Sequence, residues 1–173
     1  MVFGMSLATY TAAHVAISLV GIGSGLVVLF GLLKGKNFRG WAGLFLATTV
    51  ATSVTGFGFP VEHFLPSHGV GILSLIALVG AIAALYKFQL AGGWRRTYVI
   101  CAVVALYFNC FVLVVQSFEK VDALKALAPT QTEPPFAIAQ LAVLALFVFA
   151  GIQAARRFRG EAPPKTYSTY SGR

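Results

Sequence analysis

Asn109 and Gln116 stand seven residues apart inside one long apolar run, so on a helix they share a face, with Asn109 near the middle of the run. An amide surrounded by hydrocarbon needs a hydrogen-bonding partner, which is either a neighbouring helix or a bound molecule. Gln140 falls about one turn inside the outer end of the last apolar run, and His14 about two turns inside the outer end of the first. With Thr55, these residues can line a polar pocket opening outward, in which Asn109 is the deepest member. The cofactor-binding candidates are therefore His14, Asn109, Gln116 and Gln140, and the ligand such a pocket would take is a hydrophobic redox molecule, a quinone or a haem.

His63 and His68 are the metal candidates. They sit in the short link FPVEHFLPSHG, where Gly56, Gly58, Pro60 and Pro66 break the flanking helices and Ser67 is a candidate cap for the next one. Imidazole ligates metals, but HxxxxH in a loop lacks both the i, i+4 spacing of a helical metal site and cysteine partners. A haem held by two histidines is disfavoured because only His14 falls within an apolar run. Proton-coupled transport is disfavoured because no Asp, Glu, Lys or Arg falls in the middle of any run. Nucleophile motifs, phosphate-binding loops and paired catalytic carboxylates are absent, so no catalytic residue is assigned.

The elements that must position these residues follow from composition. The chain has 173 residues, 58% hydrophobic and 10% charged, with a mean hydropathy of +0.82, which is the composition of an integral membrane protein. Apolar runs at Leu7 to Leu33, Trp41 to Phe59, Val70 to Phe88, Tyr98 to Phe118 and Phe136 to Ala155 predict an all-α bundle of about five transmembrane helices. A net charge of +8 suggests nucleic acid in a soluble protein, but here the placement of the cations removes that reading. Lys34, Lys36 and Arg39 follow the first run, Lys87, Arg95 and Arg96 the third, and Arg156, Arg157, Arg159, Lys165 and Arg173 the last; only Lys120 and Lys125 fall elsewhere. This is the positive-inside pattern, and it puts the N-terminus outside and the C-terminus inside. The opening MVFGMSLATY has no Lys or Arg and so lacks the basic region of a cleaved signal peptide.

Between the fourth and fifth runs, Val121, Leu124, Leu127 and Ala128 recur at helical spacing and predict a short amphipathic helix on the outer interface, ended by Pro129. Thr132 is a candidate N-cap for the last run, with Pro134 and Pro135 in its first turn. Positions 1–159 form the bundle, and the tail 160–173, GEAPPKTYSTYSGR, is expected to be a disordered cytosolic segment. Cys101 and Cys110, nine residues apart in one run, cannot pair with each other and read as small packing residues.

In a bilayer, small and polar residues on one stripe mark the face turned to other helices. Thr11, His14, Ser18, Gly21 and Gly25 form such a stripe, with a GxxxG pair at Gly21 and Gly25. Thr48, Thr52 and Thr55 form another, where each hydroxyl can bond back to the carbonyl four residues earlier. Ala77 with Ala81, and Gly80 with Ala84, mark a third.

The stretch YFNCFVLVVQSFEKVDALKALAPTQTEPPFAIAQ, from Tyr107 to Gln140, resembles part of a group of small bacterial multi-span membrane proteins of unassigned function, and the likeness extends loosely over the whole chain. Its most specific pieces are GFGFPVEHFLPSHGVG and APTQTEPPF followed by Gln140. The resemblance implies a bacterial inner membrane and assigns no activity, cofactor or functional residue. Two functions fit the residues: a non-catalytic membrane protein, such as an accessory subunit whose partners are the lipid bilayer and other membrane subunits, or a binder of a quinone or haem in the outer pocket.

Overall fold

The structure is a computed structural model that describes residues 4–60 and 66–159. Those residues form six α-helices: α1 (Leu7–Leu33), α2 (Arg39–Gly56), α3 (Pro66–Ile82), α4 (Trp94–Lys120), α5 (Asp122–Leu127) and α6 (Pro134–Arg157). A π-helical turn, Ala83–Lys87, extends α3. Four of the segments, α1, Ser67–Lys87, α4 and α6, are long and apolar enough to cross a membrane. The second helix is less apolar because Thr48, Thr49, Thr52, Ser53 and Thr55 occupy one stretch of it. The expected tail 160–173 lies outside the described residues, as do His63 and Glu62.

The helices associate through close approach of backbones. At Gly25 a Cβ would fall 2.5 Å from Leu106 Cδ1 and 2.9 Å from the Phe45 ring, so only a hydrogen leaves room for both side chains. At Gly21 a Cβ would meet Thr48 Oγ1 and Thr49 Oγ1 at 3.3 Å and Asn109 Nδ2 at 3.4 Å. The GxxxG stripe thus faces α2 and α4 together, as its spacing predicts. The second helix runs antiparallel along α1 for its full length: Gly31 meets Phe38 at one end, and the Tyr10 hydroxyl donates to the Thr55 carbonyl at the other, 2.6 Å away.

The fourth helix is the hub, in contact with every other helix. Tyr98, Val99, Ala102, Ala105 and Leu106 bury one side of it against Ala77, Ala81, Ala84 and Leu85 of the α3 segment and Phe45 of α2. Of the small residues predicted on α3, Ala77, Ala81 and Ala84 are buried and Gly80 is half-buried, where a Cβ would come within 2.8 Å of Cys101 Sγ. The two cysteines are free and half-buried. The sixth helix packs antiparallel on α4, through Phe136 on Phe118, Phe147 on Tyr107 and Phe158 on Tyr98. Its outer side, with Ile138 at 65% exposure, faces away from the bundle.

Two helix starts differ from the sequence expectation. The cap of α6 is Glu133, not Thr132. A residue before proline is driven to extended backbone, and Glu133 ahead of Pro134 has ψ 154, so the helix cannot begin earlier. The Glu133 carboxylate instead binds the preceding turn, accepting from the Thr130 amide (3.2 Å), the Thr130 hydroxyl (2.9 Å) and the Thr132 amide (3.1 Å). Desolvation pushes this carboxyl up, but hydrogen bonds from the backbone and from Thr130 and Thr132 outweigh it and hold the group below its ordinary value. Likewise α3 starts at Pro66, which places Ser67 in its first turn rather than at its cap. The short helix predicted between the fourth and fifth runs forms as α5, with only Ala128 beyond its end fully buried.

Gly25→Leu should lower stability in mild detergent by about 3 kcal/mol or more, because both Leu106 and Phe45 must move. Leu26→Ala, on the exposed side of α1, should change it by less than about 0.5 kcal/mol. Thermal melts of the two variants measure the contrast.

Candidate functional site

The polar residues of the bundle form layers along α1, α2 and α4. In the deeper layer, Asn109 Nδ2 donates to Thr49 Oγ1 at 3.3 Å, and both residues are buried. Gly21 of α1 closes over this pair, so the bond sits where three helices meet. The adjacent helix thus supplies one partner to an amide that would otherwise lie unpaired in hydrocarbon.

The next layer is two turns away. His14 Nδ1 lies 2.8 Å from Thr55 Oγ1. The Thr55 hydroxyl also bonds back to the Ala51 carbonyl at 2.7 Å. A hydroxyl has a single proton, so with that proton on the Ala51 carbonyl, Nδ1 is the donor to Thr55 and the histidine is left with Nε2 as its second polar atom. Phe59 packs edge-on against both rings of the pair Tyr10 and His14, with centroids 5.0 and 5.2 Å away.

Register places Gln116 in this second layer. Gly21 lies beside Asn109 and Gly25 beside Leu106, so α1 and α4 are antiparallel. Stepping seven residues back along α1 reaches His14, and seven forward along α4 reaches Gln116, each about 10 Å from the deeper layer. Gln116 is half-buried and makes no hydrogen bond among the described residues.

Gln140 belongs elsewhere. Its Nε2 donates to the Phe111 carbonyl of α4 at 3.3 Å. Residues 109 and 111 are about 200° apart around a helix, so Gln140 reaches the opposite side of α4 from Asn109. Gln131 acts in the same way one turn further on, donating to the Val115 carbonyl at 3.1 Å. The structure therefore brings His14, Thr55 and Gln116 to one level and Asn109 to the level below, and it sets Gln140 on the α4–α6 side.

His68 stacks on Phe57 with ring centroids 5.6 Å apart, while its candidate metal partner His63 is outside the described residues. Among the described residues there is no group of three or more His, Cys, Asp or Glu placed to hold a metal ion. Thr49 is the residue that sequence reasoning missed. It lies next to Thr48 on the predicted stripe, and its signal was a second threonine series, Thr49 with Thr52, whose face points between α1 and α4. Of the predicted threonines, Thr48 and Thr55 bond back to their own helix as expected, and Thr52 Oγ1 is buried with no partner among the described residues.

Comparison with protein-family models, curated proteins and solved structures finds no match to this chain.

A double-mutant cycle on Asn109→Leu and Thr49→Val tests the deeper layer. Asn109→Leu removes the amide along with its need for a bond and should cost about 2 kcal/mol or less. Thr49→Val leaves the amide stranded and should cost about 1–3 kcal/mol, and the two changes together should show a coupling of about 1 kcal/mol in detergent unfolding. Additivity would mean that the pair contributes no mutual bond.

Proposed function

We propose that this chain is a non-catalytic integral membrane protein, an accessory subunit of a larger membrane complex in a bacterial inner membrane. The observation that supports this most directly is the fate of the polar side chains within the bundle. Asn109, His14 and Gln140 are each taken up by a neighbouring helix, and Ser53 of α2 donates to Ser74 of α3 at 3.2 Å. Side chains used in this way hold helices in register, and a substrate site instead leaves convergent groups uncommitted.

The bundle on this reading has five spans, with the N-terminus outside and the C-terminus inside. The second helix, at 18 residues, is about 27 Å long, close to the hydrocarbon thickness. Because it follows α1 from Gly31 to Tyr10, a membrane that α1 crosses is crossed by α2 as well. The three basic clusters support the orientation: Lys34, Lys36, Arg156, Arg157 and Arg159 meet around one basin, and Arg39 Nη2 donates to Gln89 Oε1 beside the second cluster, 3.1 Å away.

A second reading, a quinone or haem held in the outer layer, is favoured by one feature: Gln116 shares the level of His14 and has an uncommitted amide. Gentle purification separates the two. Stoichiometric co-purifying membrane proteins with no chromophore are expected for the accessory subunit, and a Soret band or extractable quinone would replace it with the second reading. Reporter fusions check the topology, with a C-terminal fusion expected to be active only on the cytosolic side.

A further inference from the structure

The end of the bundle where α1 and α6 finish holds a shallow, open basin of about 600 Å³ lined by Lys34, Lys36, Arg156, Arg157 and Arg159. Five cations at helix C-termini have an ordinary role in offsetting the helix dipoles, and its size can be judged. Two C-termini present about half a negative charge each, roughly one charge in total. Among the described residues, about four positive charges are left over.

No acid of the described chain is near enough to neutralise them. Glu119 and Asp122 flank the far end of α4, and Glu133 precedes α6, whose 24 residues put about 36 Å between that carboxylate and Arg157. The basin is also held in shape. Gly35 takes φ +72, and a Cβ there would lie 3.2 Å from the Arg157 carbonyl, so the loop after α1 rests directly on the end of α6. The Lys36 amide ties that loop back to the Gly31 carbonyl at 2.8 Å, and buried Phe158 anchors the other wall against Tyr98.

The membrane boundary runs through the same place. Lys34 Nζ sits 4.1 Å over the ring of Phe30, which is exposed on the side of α1. The ammonium is folded back along α1 onto an exposed aromatic ring, so a cation and an apolar surface adjoin there. Leu33 supplies an apolar wall beside it. An occupant of this basin has phosphate oxygens among the guanidinium and ammonium groups and apolar chains running down beside Phe30.

We infer that the basin binds the phosphate headgroup of an anionic phospholipid, and that a headgroup with two phosphates fills it better than one with a single phosphate, because about four cations are left to neutralise. The test uses full-length protein in mild detergent, with thermal unfolding followed as lipid is added. Cardiolipin should raise the melting temperature at lower concentration than phosphatidylglycerol, and phosphatidylcholine should have little effect. Lys36→Gln with Arg157→Gln should raise the half-saturating cardiolipin concentration roughly thirtyfold, whereas Arg95→Gln with Arg96→Gln should leave it unchanged. If the first pair destabilises the protein without lipid, Arg159→Gln alone, past the end of α6, should still raise it roughly fivefold. Equal responses to cardiolipin and phosphatidylcholine, or equal losses from both pairs, would overturn the site. Inorganic pyrophosphate that stabilises as strongly as cardiolipin would overturn the lipid as its occupant and assign the basin to a free phosphate compound.

Discussion

The missing side chains at Gly21 and Gly25 determine how the other helices meet. An apolar side chain gains little by leaving lipid for a protein neighbour, so association inside a bilayer depends on surfaces that approach closely and on hydrogen bonds made between them. At Gly25 the ring of Phe45 and the side chain of Leu106 fill the volume a Cβ would need, and at Gly21 two threonine hydroxyls and the Asn109 amide would lie in tight contact with one, at 3.3 to 3.4 Å. The close approach and the buried hydrogen bond are thus one event. The Asn109–Thr49 bond joins α4 to α2, and moving α1 outward would remove the backbone that closes over it.

The remaining helices join this centre through α4. The third helix approaches it where Gly80 lies on Cys101, and the sixth where Gly151 lies on Val103. Small residues recur at every such crossing, while large ones such as Val79, 68% exposed, point away. The same division explains the sixth helix: Phe147, Ala150 and Ala154 are its buried residues, and large apolar residues such as Ile138 and Phe149 point away from the bundle. Side-chain amides from Gln131 and Gln140 donate to carbonyls of α4 on that side, adding polar attachment where the glycine contact is single.

Residue spacing revealed which faces are inside, because small-residue periodicity is a local property. The stripe through His14, Gly21 and Gly25 and the alanines of α3 were legible for that reason. Azimuth between helices is not local. Gln140 and Asn109 have similar character and both lie in apolar runs, but they are on opposite sides of α4, which follows from how α6 packs and not from any spacing within either run. The choice between Thr48 and Thr49 was closed to the sequence in the same way, since adjacent threonines on one helix differ only by the 100° that decides which reaches Asn109. Helix starts were misplaced where a proline intervened: Glu133 is extended because Pro134 follows, a constraint that overrode the hydroxyl of Thr132 as a cap.

Three buried polar atoms have no partner among the described residues, Thr52 Oγ1, Tyr98 Oη and Gln140 Oε1, and their positions bear on function. Groups built to receive a ligand converge, because one small molecule must reach all of them. These do not. Tyr98 lies in the first turns of α4, 0% exposed, against Phe158 at the basic end. Gln140 faces the opposite half of the same helix, three turns beyond Tyr98 at Phe111. Thr52 is on α2, between the Thr49 and Thr55 layers. Each buried atom left without a partner costs about 1–3 kcal/mol. Scattered in this way, the three atoms are better understood as the residual cost of holding polar residues between helices than as parts of one binding site, and this weighs toward the structural reading over the ligand-binding one. Charged groups do converge between the ends of α1 and α6, outside the bundle interior.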